Sequence, residues 1–158
     1  MNAMQGIEAS SIARWMREAL WAYPAVETIH ILALGLVVGS VVVVDLRLIG
    51  LSRDVSVARL SRHALPWTVG AFGVAMLTGL LMFTAHAEDF LTNRVFALKM
   101  GLILAAGVNA GIMHTGPWRS IAQWDTGAMP PAAVRWCAAL SIAIWIAVVA
   151  CGRLLAYT

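Results

Sequence analysis

Four long apolar segments, separated by short polar ones, dominate the hydropathy pattern of the chain. A helix that crosses a bilayer needs about 20 mainly apolar residues. The pattern predicts four such spans, at about residues 25–49, 64–85, 94–114 and 133–155. No stretch alternates apolar and polar residues with a period of two, so all four spans are predicted to be helices.

The segment before the first span, residues 7–23, has one apolar side and one charged side. The apolar side consists of Ile12, Trp15, Met16, Ala19 and Tyr23 at helical spacing. Glu8, Arg14 and Glu18 take the opposite side. This pattern is typical of an amphipathic helix that lies in the membrane interface.

These elements together predict the fold class. Because the loops are short, consecutive spans are expected to be antiparallel neighbours. The prediction is an all-α integral membrane protein, a four-helix up-down-up-down bundle with an N-terminal interfacial amphipathic helix. It forms one membrane domain over residues 1–158.

The composition agrees with a membrane protein and excludes other classes. Of the 158 residues, 61% are hydrophobic and 12% are charged, about half the charged share of an average soluble domain. The net charge of +3 comes from scattered Lys and Arg residues. They form no stripe that could follow a phosphate backbone, so nucleic acid is not an expected partner. No common hydrolase motif is present, so hydrolysis is unsupported, and the sequence leaves it open whether the chain is an enzyme or a component of an oxidoreductase.

The basic residues give a weak indication of orientation. By the predicted loops, six of the 11 Lys and Arg residues lie at the end that holds the first and third loops, and five lie at the other end. The positive-inside rule then places both termini on the periplasmic side of a bacterial inner membrane.

Four histidines, His30, His63, His86 and His114, each lie at or near the end of a predicted span. The antiparallel order puts His30 and His86 at the end where the first span begins, and His63 and His114 at the opposite end. Two imidazoles that face each other across a flat slot are what bis-histidine haem ligation requires. The histidines therefore predict binding of haem b, as one haem or two.

His30 is the strongest candidate because it lies about one turn inside an apolar segment, where polar side chains are costly and usually functional. His63 and His86 are 23 residues apart, about 34 Å along a helix, which is a wide separation for two haems. One pair, His30 with His86, is therefore preferred as axial ligands. The alternative is that the histidines are ordinary interfacial residues.

Copper is the alternative metal at the same end of the bundle. Met82 lies one turn before His86, and Glu27 lies three residues before His30. Imidazole, thioether and carboxylate groups together could hold a copper ion. A methionine at helical spacing is nevertheless more often a core residue.

Two pairs of glycines are separated by three residues and so share a helix face: Gly35 with Gly39, and Gly107 with Gly111. Such faces let helices approach closely, and helix packing is the expected role. Alternatively, glycines such as Gly35 and Gly79 leave room for a flat cofactor. Gly79 lies seven residues before His86 and on the same helix face.

Three further polar residues lie within the spans. Asp45 and Arg47 are two residues apart where the first span ends. Their side chains point away from each other and need partners on other elements, so a structural clamp is expected. A proton path or a quinone headgroup site is the alternative. Asn109, in the third span, either orients a ligand bound on His114 or bonds a neighbouring helix.

Several segments resemble a bacterial family of four-helix inner-membrane proteins of unknown function. The resemblance covers nearly the whole chain and is carried by residues 23–30 (YPAVETIH), 44–50 (VDLRLIG), 65–67 (LPW), 77–81 (LTGLL) and 109–114 (NAGIMH). In layout the chain is similar to b561-type membrane cytochromes and to copper-resistance D-type membrane proteins. That layout is a fold-level analogy, and it implies haem or copper bound by histidines.

The leading functional prediction is a haem b-binding membrane protein or subunit that passes electrons between a quinone pool and a periplasmic redox partner. One alternative is a copper-handling or transport protein that works with a periplasmic metal-binding protein. The other is a non-catalytic membrane anchor subunit. The lipid bilayer is a partner in every case, and an oligomer or a larger membrane complex is compatible with all three.

Overall fold

The structure is a computed structural model that describes residues 3–157, and every regular element in that range is a helix. Four helices are long and apolar enough to cross a membrane: α3 (Ala22–Ile49), α4 (Val57–Ala85), α6 (Arg94–Thr115) and α7 (Ala132–Leu154). The predicted all-α fold with four spanning helices is confirmed. Residues 1, 2 and 158 of the predicted domain lie outside the described residues.

Four short helices complete the chain: α1 (Ala3–Glu8), α2 (Ser11–Glu18), α5 (Ala87–Thr92) and a 3₁₀ helix (Pro117–Gln123). The segment predicted as one interfacial helix thus contains two helices, because Ser10 begins a new one. Its hydroxyl oxygen accepts the backbone N–H of Ala13, which caps α2. Met16 is buried against the bundle, whereas Arg14 and Glu18 are exposed, so α2 is amphipathic. Ile12 and Trp15, which the pattern places on the apolar side, are exposed on the outer surface.

The four long helices form two antiparallel pairs. α3 packs along α4, α6 packs along α7, and α3 and α7 join the pairs. Ser40 contacts Thr68 and His30 contacts Thr78, so α3 and α4 run in opposite directions. Within residues 3–157, the backbones of α4 and α6 do not pack along each other.

The bundle has two ends, called end A and end B. End A is where α3 and α6 begin and α4 and α7 end, and it carries the short helices α1, α2 and α5. At end B, α3 and α6 end, α4 and α7 begin, and the 3₁₀ helix lies. Three apolar clusters fill end A, the middle and end B, and the middle one joins Val37, Ala71, Ile144, Trp145 and Val148.

Most of the apolar surface of the spans faces outward. In the most apolar 18-residue stretch of each span, between 6% and 28% of the residues are buried within the protein. In lipid this surface is solvated, and the chain is a multi-pass membrane protein. The glycine pairs also face outward, since a Cβ added at Gly35, Gly39, Gly107 or Gly111 would meet no described atom within 4 Å. The expectation that they pack helices within this chain is therefore wrong.

Candidate functional site at end A

His30 is half-buried between α3 and α4, and its ring is hydrogen-bonded to residues of α4. Its Nδ1 atom lies 2.9 Å from Thr78 Oγ1. The Thr78 hydroxyl donates its own proton to the backbone oxygen of Val74, at 2.7 Å. With the hydroxyl proton on Val74, Thr78 Oγ1 accepts from His30, and the Ala75 carbonyl beside the ring can likewise only accept. This arrangement favours the tautomer in which Nδ1 carries the ring proton and Nε2 has a lone pair.

Gly79 allows the His30 ring to lie against α4. A Cβ at Gly79 would be 3.2 Å from His30 Cε1, closer than side chains normally approach. The glycine that the sequence offered as room for a flat cofactor thus makes room for the imidazole. Gly35, the second glycine of that prediction, is exposed and has no described neighbour within 4 Å of an added Cβ.

Lys99 reaches the same region from α6. Its Nζ would be 3.7 Å from a Cβ added at Gly152 in the last turn of α7, and its charge is close enough to act on His30. Among residues 6–157 the Lys99 side chain has no hydrogen-bond acceptor or acidic partner. All four spanning helices therefore contribute residues at one level of the bundle near end A. These are His30 on α3, Thr78 and Gly79 on α4, Lys99 on α6, and Gly152 on α7.

The other histidine predicted at this end, His86, is not beside His30. It is an exposed residue at the junction of α4 and α5, with its ring edge-on to Tyr23 at 5.8 Å between centroids. His30 contacts α4 at Thr78, eight residues before His86, which is about 12 Å along the helix. The pairing of His30 with His86 stays a prediction, and the two rings lie at different levels of the bundle.

The residues proposed for copper are also apart. Glu27 is exposed on α3, and Met82 packs against the apolar cluster at end A. Across the described part of the chain, no group of three or more His, Cys, Asp or Glu side chains is close enough to hold a metal ion. A haem iron needs only one or two imidazoles from the protein, so haem ligation depends on the individual histidines.

The N-terminal helices are fixed over end A. Arg17 on α2 donates to the backbone oxygen of Ala85 at 3.0 Å, and so satisfies a carbonyl at the C-terminus of α4. Glu8 Oε1 accepts the backbone N–H of Glu88 at 2.9 Å, at the start of α5. α1 and α2 thereby cover the junction that carries His86.

The histidines at end B are exposed. His114 Nδ1 lies 2.8 Å from the backbone oxygen of Ala110, and its ring stacks on Trp118 with centroids 5.2 Å apart. Since a carbonyl can only accept, this Nδ1 also carries the ring proton. His63, in the second turn of α4, makes no hydrogen bond or ring contact with any described residue. The structure does not bring His63 and His114 together in a contact.

Arg47 at end B clamps two loops. It is 3% exposed, its Nε donates to the backbone oxygen of Val55 at 2.7 Å, and its Nη2 donates to those of Arg53 and Asp125 at 3.2 and 2.9 Å. Asp45 points elsewhere, with Ser141 on α7 as its hydrogen-bonding neighbour. Asp45 Oδ2 and Arg47 Nη1 are buried without a described partner.

Asp125, in the loop after the 3₁₀ helix, caps α4 from a distance in sequence. Its carboxylate accepts the backbone N–H of Ala58 and the hydroxyl of Ser56, both at 2.8 Å. These donors, the Ala58 N–H first, together with the charge of Arg47, lower the pKa of the Asp125 carboxyl group. This capping explains why α4 begins at Val57, seven residues before the apolar span predicted from the sequence.

Asn109 bonds a neighbouring helix. Its Nδ2 donates to the backbone oxygen of Cys137 on α7 at 2.9 Å, and the side chain is buried. Of the two roles considered for it, the structure therefore shows the helix contact.

Sequence reasoning singled out His30 but missed Thr78 and Lys99 as members of its site. A lysine inside an apolar span was the available signal, because a charged side chain in a membrane usually has a function. Thr78 gave no signal of its own, since its role depends on a contact across 48 residues.

The comparison with protein families assigns the chain to a group. The family model described as "Family of unknown function (DUF6644)" matches residues 12–158. The chain belongs to this family. The match agrees with the resemblance to a family of unknown function. No curated protein and no solved structure matches the chain. The site of this DUF6644 member must therefore be interpreted from its own geometry.

Proposed function

We propose that this chain is a haem b-binding membrane electron-transfer protein or subunit, with His30 as the axial ligand. The observation that supports the proposal most is the hydrogen bond from His30 Nδ1 to Thr78. Histidines that ligate a metal commonly donate their second ring N–H to a fixed acceptor, which sets the tautomer and the ring orientation. His30 has this arrangement inside a spanning helix.

The surroundings of His30 suit a planar, partly charged group. The backbones of α4 and α6, which carry Thr78 and Lys99, do not pack along each other in residues 3–157. A flat ring system would lie between these two helices. The iron would supply the redox chemistry, and the chain would hold the ring, exclude water and set the charge beside it.

An isoprenoid quinone is the proposed membrane partner. A groove of about 680 Å³ runs along the outer seam of α3 and α4. Its lining is apolar and consists of Ile29, Leu32, Ala33, Leu36, Pro66, Trp67, Gly70, Ala71 and Val74. Ile29 adjoins His30 and Val74 accepts the Thr78 hydroxyl, so a tail in this groove would end beside the proposed haem site. The second redox partner is periplasmic, if both termini lie outside a bacterial inner membrane as proposed from the basic residues.

The absorbance spectrum of the purified protein tests the proposal. We expect a Soret band, and an α band on reduction with dithionite, with iron and not copper found by elemental analysis. His86→Ala should keep the Soret band, since His86 is exposed and about 12 Å along α4 from the level of Thr78. A spectrum without a Soret band in the wild-type protein contradicts the proposal, and loss of the band in His86→Ala contradicts the single-ligand assignment.

A further inference from the structure

The Lys99 side chain lies between α6 and α7 without a partner. Its ammonium group has no hydrogen-bond acceptor and no carboxylate within the described residues, and its neighbours at the end of α7 are Gly152 and Cys151. A charged side chain in a spanning segment is costly, and the cost falls toward the membrane interface. Such a group usually pairs with another charge or binds a ligand.

The acidic side chains at end A do not serve Lys99. Glu8 is used by the N–H of Glu88. The remaining acidic residues at this end are exposed and form no ion pair with it: Glu18, Glu27, Glu88 and Asp89. The basic group nearest in sequence at the end of α7, Arg153, contacts Tyr157. Cys151 is a titratable neighbour of Lys99, but no described carboxylate pairs with it, so a carboxylate at Lys99 would come from outside the described residues.

Lys99 lies closer to the surface of end A than His30 does. Lys99 is the sixth residue of α6, about 8 Å from its start, whereas His30 is the ninth residue of α3, about 12 Å from its start. A tetrapyrrole whose metal lies at His30 has its propionate groups on one edge of the ring. With that edge toward the surface of end A, a propionate would reach the level of Lys99.

We propose that Lys99 is the anion-binding residue of the His30 site and that the ligand carries a carboxylate, so that the site selects tetrapyrrole acids over their esters. This inference rests on the proposed function, since it takes a tetrapyrrole as the ligand. A carboxylate at Lys99 would form a charge-assisted hydrogen bond in a region of low dielectric constant, where such bonds are strongest.

The test compares porphyrins that differ only in charge. The purified full chain, in detergent and free of endogenous ligand, is titrated with metal-free protoporphyrin IX and with its dimethyl ester, and binding is followed by quenching of tryptophan fluorescence. Variants are compared in the same detergent, so that partition of each porphyrin into micelles cancels. The variants are Lys99→Met, Lys99→Arg and, as a control cation at the same end, Arg153→Met.

We expect Lys99→Met to weaken binding of the acid about tenfold or more, as for a hydrogen bond to a charged group, and to leave binding of the ester unchanged. Lys99→Arg should retain most of the affinity, and Arg153→Met should match the wild type. The inference would be overturned if Lys99→Met weakened binding of the acid and the ester equally, or weakened neither. Absence of porphyrin binding by the wild type would also overturn it. If palmitate displaced bound protoporphyrin IX as effectively as added protoporphyrin IX does, the assignment of the ligand as a tetrapyrrole would be overturned.

The two proposals fail in different ways. Titration with iron protoporphyrin, followed in the Soret region with His30→Ala as control, reports on the axial ligand. The protein could prefer the acid through Lys99 and yet show no Soret band that depends on His30. That result would support the carboxylate site and contradict the haem function. A His30-dependent band without selection of the acid supports the function and overturns the role of Lys99.

Discussion

The two ends of the bundle use their polar side chains differently. At end B, Arg47 donates to three backbone oxygens and Asp125 caps α4, although Asp45 Oδ2 and Arg47 Nη1 have no partner among the described residues. At end A, His30 uses a ring nitrogen on Thr78, and Lys99 has no acceptor among the described residues. The polar groups at end B thus fix loops and a helix end, whereas an intramembrane histidine and lysine with spare bonding capacity point to a ligand at end A.

End B is a structural cluster, whereas end A is a candidate binding site. The middle cluster around Val37 and Trp145 is apolar and lies between the two polar ends. Substitutions at end B should therefore change stability, and substitutions at end A should change ligand binding.

The largest expected effect is at Arg47. Arg47→Met removes the donor for the oxygens of Val55, Arg53 and Asp125, and should lower the free energy of unfolding by about 3–5 kcal/mol, as for a broken buried network. Unfolding by SDS titration from mild detergent, followed by circular dichroism, measures the loss. Arg53→Met is the control, since Arg53 is exposed and donates only to the Gly50 oxygen. Similar losses in both variants would contradict the clamp.

The matched substitution at end A has the opposite expected sign. Lys99→Met removes a cation that has no partner within residues 6–157, so stability without ligand should be unchanged or higher. The same SDS titration measures it. A loss as large as that in Arg47→Met would remove the distinction between the ends.

Thr78→Val should weaken haem binding about tenfold or more, because it removes the acceptor of His30 Nδ1–H while keeping the shape of the side chain. Thr78→Ser should restore binding. Thr68→Val, on the same helix but bonded to Ser40, is the control and should bind as the wild type does. Haem titration followed in the Soret region measures all three, and equal affinity of Thr78→Val and wild type would show that Thr78 does not fix the ring.

Asp125→Asn should cost about 1 kcal/mol at pH 7, as for loss of a helix cap. The donors on Asp125 lower its pKa in the folded state, so its contribution is present above the unfolded pKa of about 4. It is lost as the pH falls through the lower, folded pKa. The difference in unfolding free energy between wild type and Asp125→Asn should therefore shrink between pH 5 and strongly acidic pH. A difference that is independent of pH, or one as large in the exposed Asp54→Asn, would exclude this capping role.

The smallest expected effect on haem binding is at Gly79. In Gly79→Ala the new methyl group would lie 3.2 Å from the His30 ring, which must shift by a few tenths of an ångström. The Soret maximum should move and haem affinity should fall by a few-fold. Gly35→Ala is the matched control in a spanning helix, since its Cβ meets nothing within 4 Å. Identical spectra for the two variants would place the haem away from His30.

The sequence predicted the spanning helices well because hydropathy is local. Twenty apolar residues in a row dictate a membrane helix whatever surrounds them. The start of α4 was missed because its first turn is capped by Asp125, 67 residues away from Ala58. Likewise, the break in the N-terminal segment depends on a single cap at Ser10, which an apolar pattern does not report.

The candidate site was only partly predictable. The cost of a histidine in lipid is a property of the residue itself, and it singled out His30 correctly as an intramembrane polar group. Which residues meet His30 depends on the rotation of each helix about its own axis. Composition and spacing do not fix that rotation, so the sequence could not indicate Thr78, Gly79 and Lys99, which the structure places near His30. The pairing of His30 with His86 stays a prediction.

The central claim is that His30, and no other histidine, holds a haem. The most direct measurement is the haem content of purified His30→Ala and His114→Ala, assayed side by side with the wild type by the pyridine haemochrome method. Both histidines carry the proton on Nδ1, but His30 lies within the bundle and His114 is exposed at end B. We predict that His30→Ala contains no haem and that His114→Ala contains as much as the wild type. Haem retained in His30→Ala, or lost equally from both variants, would contradict the account.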